Sequence, residues 1–373
     1  MLKTFQEELA VIKTEIPESK VFQSLVKIKE NKDGRPFVLY GAGMLGRTIL
    51  DLCRALSIEV ACFCDRMATD DIEGVEIITP SVLNTKYPDA VILICSHTFN
   101  SDISANLQQM GFSQEQIIQC PCEYPYFTSL CKFEKHLTGY EWAYRFFQDD
   151  RSKQLVLDRI RLMLCDQPLI PNTACECYYE DDFITLADRE IFVDAGAYIG
   201  DTAEAFAQKM EEAKKEYHVY SFEPDSENYN YMVGFLSANP NITVVQKGLW
   251  HSDKELIFTH HAGDAAGSSF VILPGERTGE NVPVVSLDRY FSNKAVEDWP
   301  TFVKMDIEGA EKEALLGSAE IIKRNKPKLA ICSYHKPEDI YCIAQTITGI
   351  RDDYRFALRQ HCDGCWDTVL YAV

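Results

Sequence analysis

The chain has 373 residues, enough for two domains that each bury a core, and 46% of them are hydrophobic, which excludes a disordered chain. Its formal net charge is −20, so a phosphate backbone is repelled and nucleic acid is not an expected partner or substrate. Met1 to Ala10 lacks the apolar core of a signal peptide, and no window approaches the ~20 apolar residues of a membrane span. No membrane span and a cytoplasmic location are therefore expected.

Residues 1–30 read as a helical leader, with Phe5, Leu9, Ile12 and Ile16 at helical spacing. Residues 31–122 read as a small Rossmann-like domain. Pro36 to Tyr40 has the composition of a strand, and Gly41, Gly43 and Gly46 form a G-x-G-x-x-G string directly before the helix Arg47 to Leu56. Asp65 stands at the tip of the next strand, Val60 to Cys64. In this context glycines let the backbone approach a pyrophosphate, and a strand-tip acid takes a ribose. Val75 to Thr79, Ala90 to Cys95 and Gln116 to Gln119 read as further strands, with a helix over Ser101 to Met110. The domain holds about one mononucleotide-binding half, not the two of a complete dinucleotide fold, which counts against a dehydrogenase. At Gly41, Gly43, Gly46 and Asp65, NAD, a nucleotide or nucleotide-sugar, and no ligand all stay open, with a nucleotide-linked ligand favoured and a domain used only for packing or partner contact as the alternative.

Residues 123–187 are rich in aromatics and charge. Helical spacing over 139–166, stopped by Pro168 and Pro171, predicts a helical connector. The 14 cysteines include Cys62-x-Cys64, Cys120-x-Cys122, Cys175-x-Cys177 and one Cys362-x-x-Cys365. No second C-x-x-C pairs with the last, so a structural zinc site is not supported and free thiols are expected.

Residues 188–373 resume the alternation of strand and helix. Ile191 to Val193 is a short apolar run closed by Asp194. Gly196 and Gly200 allow a tight turn, and Thr202 to Met210 reads as a helix. Tyr217 to Phe222 is the next strand, with Glu223 at its tip, where an acid accepts bonds from both ribose hydroxyls. Strand, glycine turn and acid together indicate an adenosine-bearing ligand. A helix over Glu227 to Ser237 and a strand over Ile242 to Val245 follow. Shorter strands at Glu255 to Phe258 and Val282 to Leu287 flank a loop from His260 to Ser269. Thr301 to Met305 ends at Asp306, Glu311 to Lys323 is a helix, and Lys328 to Ser333 leads to His335. Tyr354 to Leu358 and Thr368 to Ala372 read as a final antiparallel hairpin turning at Asp363-Gly364.

Five motifs occur in order: the glycine turn, the ribose acid, Lys304-Met-Asp-Ile-Glu-Gly-Ala-Glu311, Tyr334-His-Lys-Pro-Glu-Asp339 and Thr368-Val-Leu-Tyr-Ala372. Over roughly residues 175–373 they resemble the FkbM-type family of S-adenosylmethionine-dependent methyltransferases. The preceding domain is more weakly similar to nucleotide-binding modules appended to enzymes of bacterial surface-sugar synthesis. The resemblance implies an α/β chain of two Rossmann-like domains, the second a seven-stranded class I methyltransferase sheet with an antiparallel last strand. It implies that Asp194, Gly196, Ala197, Gly200 and Thr202 hold the methionine end of the cofactor, Glu223 its ribose, and Gly248 and Leu249 the adenine side. Asp306, Glu308 and His335 would face the substrate. The turn lacks a middle glycine at Tyr198, which must point away from the cofactor or cover it.

The resulting expectation is O-methylation of a small hydroxylated acceptor, a sugar or sugar-linked intermediate. His335 is the expected base, because its ordinary pKa is ~6.5 against ~4 for Asp306, and Asp306 orients it or the substrate. Asp306 and Glu308 could instead cap the following helix. A third reading has Asp306, Glu308 and His335 hold a divalent cation, for which oxygen-rich ligands suit Mg or Mn, though the spacing does not require it. The competing functions are an NAD(P)-dependent oxidoreductase working through Gly41 to Gly46 and Asp65, and a non-catalytic nucleotide-binding scaffold. A homo-oligomer is compatible with all three.

Overall fold

The computed structural model describes residues 4–66, 71–180, 182–261, 264–269 and 279–373. They divide into two compact units. The first comprises Met1–Glu141 and Val156–Leu169, the second Trp142–Leu155 and Ile170–Val373. The predicted connector is thus shared between the units, and its last part, from Ile170, belongs to the second.

The leader of the first unit is two helices, Phe5–Glu15 and Lys20–Asn31, because Pro17 starts a single 3-10 turn between them. Phe5, Leu9 and Ile12 are buried as their spacing predicts. The strands β1 (Phe37–Tyr40), β2 (Cys62–Cys64), β3 (Ile77–Ile78), β4 (Val91–Ile94) and β5 (Ile117–Gln119) are all parallel, in the order β3-β2-β1-β4-β5. That is the order of a doubly wound sheet. β1 and β4 are buried on both faces, as near-continuous apolar runs require in a parallel sheet.

The second unit is built on β6 (Arg189–Ala195), β7 (Glu216–Phe222), β8 (Ile242–Val245), β9 (Gly248–Leu249), β10 (Lys254–His261), β11 (Asp264–Ser269), β12 (Gly279–Val285), β13 (Phe302–Met305), β14 (Lys328–Cys332), β15 (Phe356–Gln360) and β16 (Thr368–Ala372). Seven of them form a mixed sheet in the order β15-β16-β14-β13-β6-β7-β8. β16 runs antiparallel between β14 and β15, while the other pairings are parallel. The reversed last strand is therefore present. β11, β10, β12 and β9 make a separate four-stranded sheet. The predicted loop His260 to Ser269 largely belongs to β10 and β11, and its residues 262 and 263 lie outside the described residues.

Two local departures have physical causes. The helix predicted over Glu311 to Lys323 breaks into Glu311–Leu316 and Ala319–Asn325. A Cβ at Gly317, between them, would stand 2.1 Å from the Trp250 carbonyl oxygen, so the chain there packs backbone against backbone. The helix Asp339–Ile350 is not among the predicted elements. It buries Ile340, Ile343, Ala344 and Ile347 at helical spacing, but follows so closely on a proline turn that its start is masked in the sequence. The core beneath the site is Phe192, Phe206 and Phe302, stacked and tilted at centroid distances of 4.3 to 6.3 Å.

Candidate active site

The carboxyl ends of β6, β7 and β13 meet the turns that follow them around one cavity of about 370 Å³. In an open α/β sheet this is the edge where ligands bind, since side chains and free backbone groups converge there. Gly196, Thr202, Glu223, Gly248, Leu249, Asp306 and Glu308 line the cavity.

Gly196 takes a left-handed φ of 73°, and a Cβ there would fall 1.8 Å from the Asp306 carbonyl oxygen. Only a glycine lets the β6 and β13 turns approach so closely. Gly200 is also left-handed, at φ 89°, but a Cβ on it would meet Leu236 at 2.6 Å. Its missing side chain serves the packing of the helix Ser226–Leu236. Ala197 is buried and, like Gly200, lies outside the cavity lining. Tyr198 stands at φ 49°, a conformation glycine would hold without strain. Tyr198 is 39% exposed and lines the cavity.

Glu223 is 5% exposed. Its Oε2 accepts the Tyr198 N–H at 2.8 Å and its Oε1 the Asp225 N–H at 2.9 Å. Burial pushes its pKa up to about 7, with the Asp225 charge adding to the effect and the two N–H donors opposing it. The first unit repeats the arrangement: Asp65 Oδ2 accepts the Ala42 N–H at 2.8 Å. There Gly41 has φ 110° with the Cys95 carbonyl oxygen 2.7 Å from any added Cβ, and Gly46 packs on the Gly41 carbonyl. Around Gly43 there is open space for a Cβ.

Asp194 does not line the cavity. It is fully buried in β6, with Lys304 Nζ 2.9 Å from its Oδ1. Lys304 also donates to the Gly196 carbonyl at 2.8 Å and does line the cavity. Burial disfavours this ammonium, but Asp194 and Asp306 outweigh it and keep Lys304 protonated. Asp194 thus stands one layer back from the cavity, behind Lys304. Lys304 itself was legible, because it opens the K-x-D-x-E-G-x-E string and sits opposite Asp194 in the ladder.

Asp306 accepts from the Tyr178 hydroxyl at 3.0 Å and from the Tyr334 hydroxyl at 3.1 Å. Burial raises its pKa, yet His335, Lys304 and the Tyr178 bond together hold it below the usual carboxylate value. Tyr178, at φ 69°, and Cys177 reach the cavity from the segment before β6. Sequence reasoning read a helical connector there and gave these two side chains no role, since no local motif marks them.

His335 stands behind the cavity wall with its side chain 6% exposed. Its Nε2 lies 3.4 Å from Asp306 Oδ1 and 3.6 Å from Glu308 Oε2, and its Nδ1 3.1 Å from Glu311 Oε1. Burial lowers its pKa, but Glu311, Glu308 and Asp306 together raise it well above the ordinary value. His335 does not line the cavity, whereas Asp306 and Glu308 do, so the two carboxylates stand nearer to an acceptor than the ring does. Glu308 is held at φ 55°, and Glu311 accepts the Ile307 and Gly309 N–H groups. The helix has Ala310 at its N-cap with no side-chain cap bond, and Glu311 instead fixes the turn that precedes it.

All 14 cysteines are free thiols. No helix among the described residues is long and apolar enough to cross a membrane.

Residues 194–356 match the family model "Methyltransferase FkbM domain", and residues 35–118 match "C2185-like, N-terminal". No curated protein matches the chain. The solved structure of Methyltransferase FkbM from Methylobacillus flagellatus KT is 21% identical, covers 99% of this chain and 98% of that one, and superposes with a TM-score of 0.60. At that identity the likeness shows a shared fold. An rRNA methylase from Streptococcus thermophilus (18% identical, 50% of this chain and 87% of that one, TM-score 0.31) and a fibrillarin/Nop5p complex (14% identical, 51% and 74%, TM-score 0.30) are too distant in structure to carry an argument. With the cavity at its sheet edge and this family match, the C-terminal region of the chain carries a methyltransferase FkbM domain over residues 194–356.

Proposed function

We propose that the chain is an S-adenosylmethionine-dependent methyltransferase acting on a hydroxyl of a small acceptor, a sugar or sugar-linked intermediate. One observation carries the reading: Glu223 at the tip of β7 and Asp306 at the tip of β13 line the same cavity of about 370 Å³. That volume suits a nucleoside-sized ligand with an acceptor beside it.

The residues fit the cofactor. Each oxygen of Glu223 accepts one backbone N–H and keeps a lone pair for a ribose hydroxyl. The turn at Gly196 brings main chain to the cavity where a side chain would not fit. Gly196 and Thr202 would hold the methionine end, and Gly248 and Leu249 the adenine side. Ala197 and Gly200 would shape the turn, with Asp194 acting through Lys304. The cofactor supplies an electrophilic methyl group on a sulfonium whose leaving group is neutral. The protein's part is alignment, worth ~7–11 kcal/mol when the reactants are held in line. Tyr198 covers the cavity and limits water. Asp306 and Glu308, the carboxylates at its wall, orient the acceptor hydroxyl and one of them takes its proton, with His335 behind them. The sugar class of the acceptor follows from the family resemblance. In the first unit, a nucleotide or nucleotide-sugar would lie against Gly41, Gly43 and Gly46, near Asp65.

Thermal unfolding with S-adenosylhomocysteine, NADH and nucleotide-sugars in separate wells tests the reading. A ligand at a hundredfold its Kd adds ~2.7 kcal/mol of stability. A rise with S-adenosylhomocysteine, followed by transfer of labelled methyl to a sugar hydroxyl, is expected. A rise with NADH alone would favour an oxidoreductase, and silence with every ligand a scaffold.

A further inference from the structure

Asp306, Glu308 and His335 place one ligand atom each within 4.8 Å of the others, where the cavity wall meets the turn after β14. Three acidic or imidazole groups so close are common without a function. Here a second observation separates this cluster from a solvated one. The His335 side chain is 6% exposed, and neither of its ring nitrogens makes a hydrogen bond of good geometry. A buried imidazole aimed at two carboxylates without bonding either is costly unless something stands between them.

The distances say what fits. A hydrogen bond from Nε2 would bring a carboxylate oxygen to ~2.7–3.2 Å. The separations of 3.4 Å to Asp306 and 3.6 Å to Glu308 are longer. Ligand atoms bound at ~2.1 Å to one cation stand about 3.0 to 3.4 Å apart along the edges of its coordination polyhedron. Asp306 stands at the upper end of that spacing from Nε2, and Glu308, at 3.6 Å, is the most exposed of the three side chains. The surroundings are those of a ligand set too. Glu311 Oε1 lies 3.1 Å from Nδ1 and is itself fixed by the Ile307 and Gly309 N–H groups, the carboxylate–histidine arrangement that orients a metal-bound imidazole. Glu308 is held in a left-handed backbone, φ 55°, that residues other than glycine rarely adopt. A neighbouring group of Glu311, His335 and Asp339 is the weaker candidate, because none of its residues lines the cavity, whereas Asp306 and Glu308 do.

We infer that Asp306, Glu308 and His335 form a site for one divalent cation of the Mg or Mn class, open to the cavity on the side where an acceptor binds. Two carboxylates and one imidazole leave positions for water or for acceptor oxygens. A cation there lowers the pKa of a bound hydroxyl and fixes its direction, so the proton leaves to solvent or to a carboxylate without a histidine base. The inference rests on the methyltransferase reading for its chemical use, but the binding site stands apart from it.

The test uses Mn²⁺ alone, added to the chelator-treated full chain, with loss of the free-ion paramagnetic resonance signal reporting binding. One Mn²⁺ per chain is expected, displaced by excess Mg²⁺. Glu308→Gln and His335→Gln should each weaken binding at least tenfold while thermal melts confirm folding. Glu308 is partly exposed, so its variant keeps the test valid if the histidine variant unfolds. No bound Mn²⁺, or variants that bind like the wild type, would overturn the site. S-adenosylhomocysteine calorimetry in parallel separates the two readings. Nucleoside binding without Mn²⁺ sinks only the cation site, and Mn²⁺ binding without the nucleoside sinks only the cofactor assignment.

Discussion

Lys304 Nζ lies 2.9 Å from Asp194 Oδ1 and 2.8 Å from the Gly196 carbonyl oxygen, so one buried ammonium ties β13 to the end of β6 and its turn. The two side chains are 3% and 0% exposed. Desolvation makes such a pair a weak net stabiliser, but removing one partner strands the other. Asp194→Asn should therefore cost about 3–5 kcal/mol in chemical denaturation. Asp194→Asn combined with Lys304→Met should cost much less than the single change. A single variant as stable as the wild type would mean the pair does not hold the turn.

Glu223 makes binding depend on pH. Its folded pKa of about 7 lies above the ordinary 4.5, chiefly through burial. Between those values the folded chain keeps a proton that the unfolded chain has lost. Stability contributed by this group therefore falls as pH rises through the window, by on the order of 3 kcal/mol, and is level above it. Ribose hydroxyls need the ionised form as acceptor. The affinity for S-adenosylhomocysteine should then drop about tenfold per unit as pH falls below about 7. Calorimetry from pH 5.5 to 8.5 checks this, and Glu223→Gln should bind weakly with little dependence on pH over the same range.

Two glycines should respond in opposite ways. Gly196→Ala puts a Cβ 1.8 Å from the Asp306 carbonyl oxygen in a left-handed backbone. It should push β6 and β13 apart and abolish nucleoside binding. Gly234 lies inside the helix Ser226–Leu236 with nothing within 4 Å of an added Cβ. Gly234→Ala should raise stability by up to about 1 kcal/mol and leave binding alone. Thermal melts with and without S-adenosylhomocysteine report both.

Tyr178 and Tyr334 both donate to Asp306. Losing one donor to a buried group costs about 1–3 kcal/mol, and losing both should exceed the sum because the carboxylate then keeps no hydroxyl partner. Urea titrations of Tyr178→Phe, Tyr334→Phe and the double variant measure the coupling. Strict additivity would show that the two hydroxyls act on Asp306 independently.

Most of the sheet was legible because its strands are short apolar runs closed by an acid or a glycine, as at Val193-Asp194 and Met305-Asp306. The reversed hairpin was legible from Asp363-Gly364, which marks a turn between two apolar runs. The four-stranded sheet was legible only in part, as strands at Glu255 to Phe258 and Val282 to Leu287, because β9 has two residues and β11, Asp264–Ser269, is made of small and polar ones. In the site, strand-tip residues such as Glu223 and Asp306 could be placed from the ladder alone. Side-chain direction could not. Asp194 and Lys304 share a register but only one reaches the cavity, and Tyr178 arrives from a segment with no periodicity. The carboxylates around His335 were also beyond the sequence, since Glu311, 3.1 Å from Nδ1, is marked there only as the end of a motif.

The assignment depends most directly on whether a nucleoside sulfide binds at Glu223. Calorimetric titration of S-adenosylhomocysteine into the wild type at pH 8 should show one site per chain, and into Glu223→Ala a loss of at least tenfold in affinity. Absence of heat with the wild type, or equal affinity in the two proteins, would contradict the account.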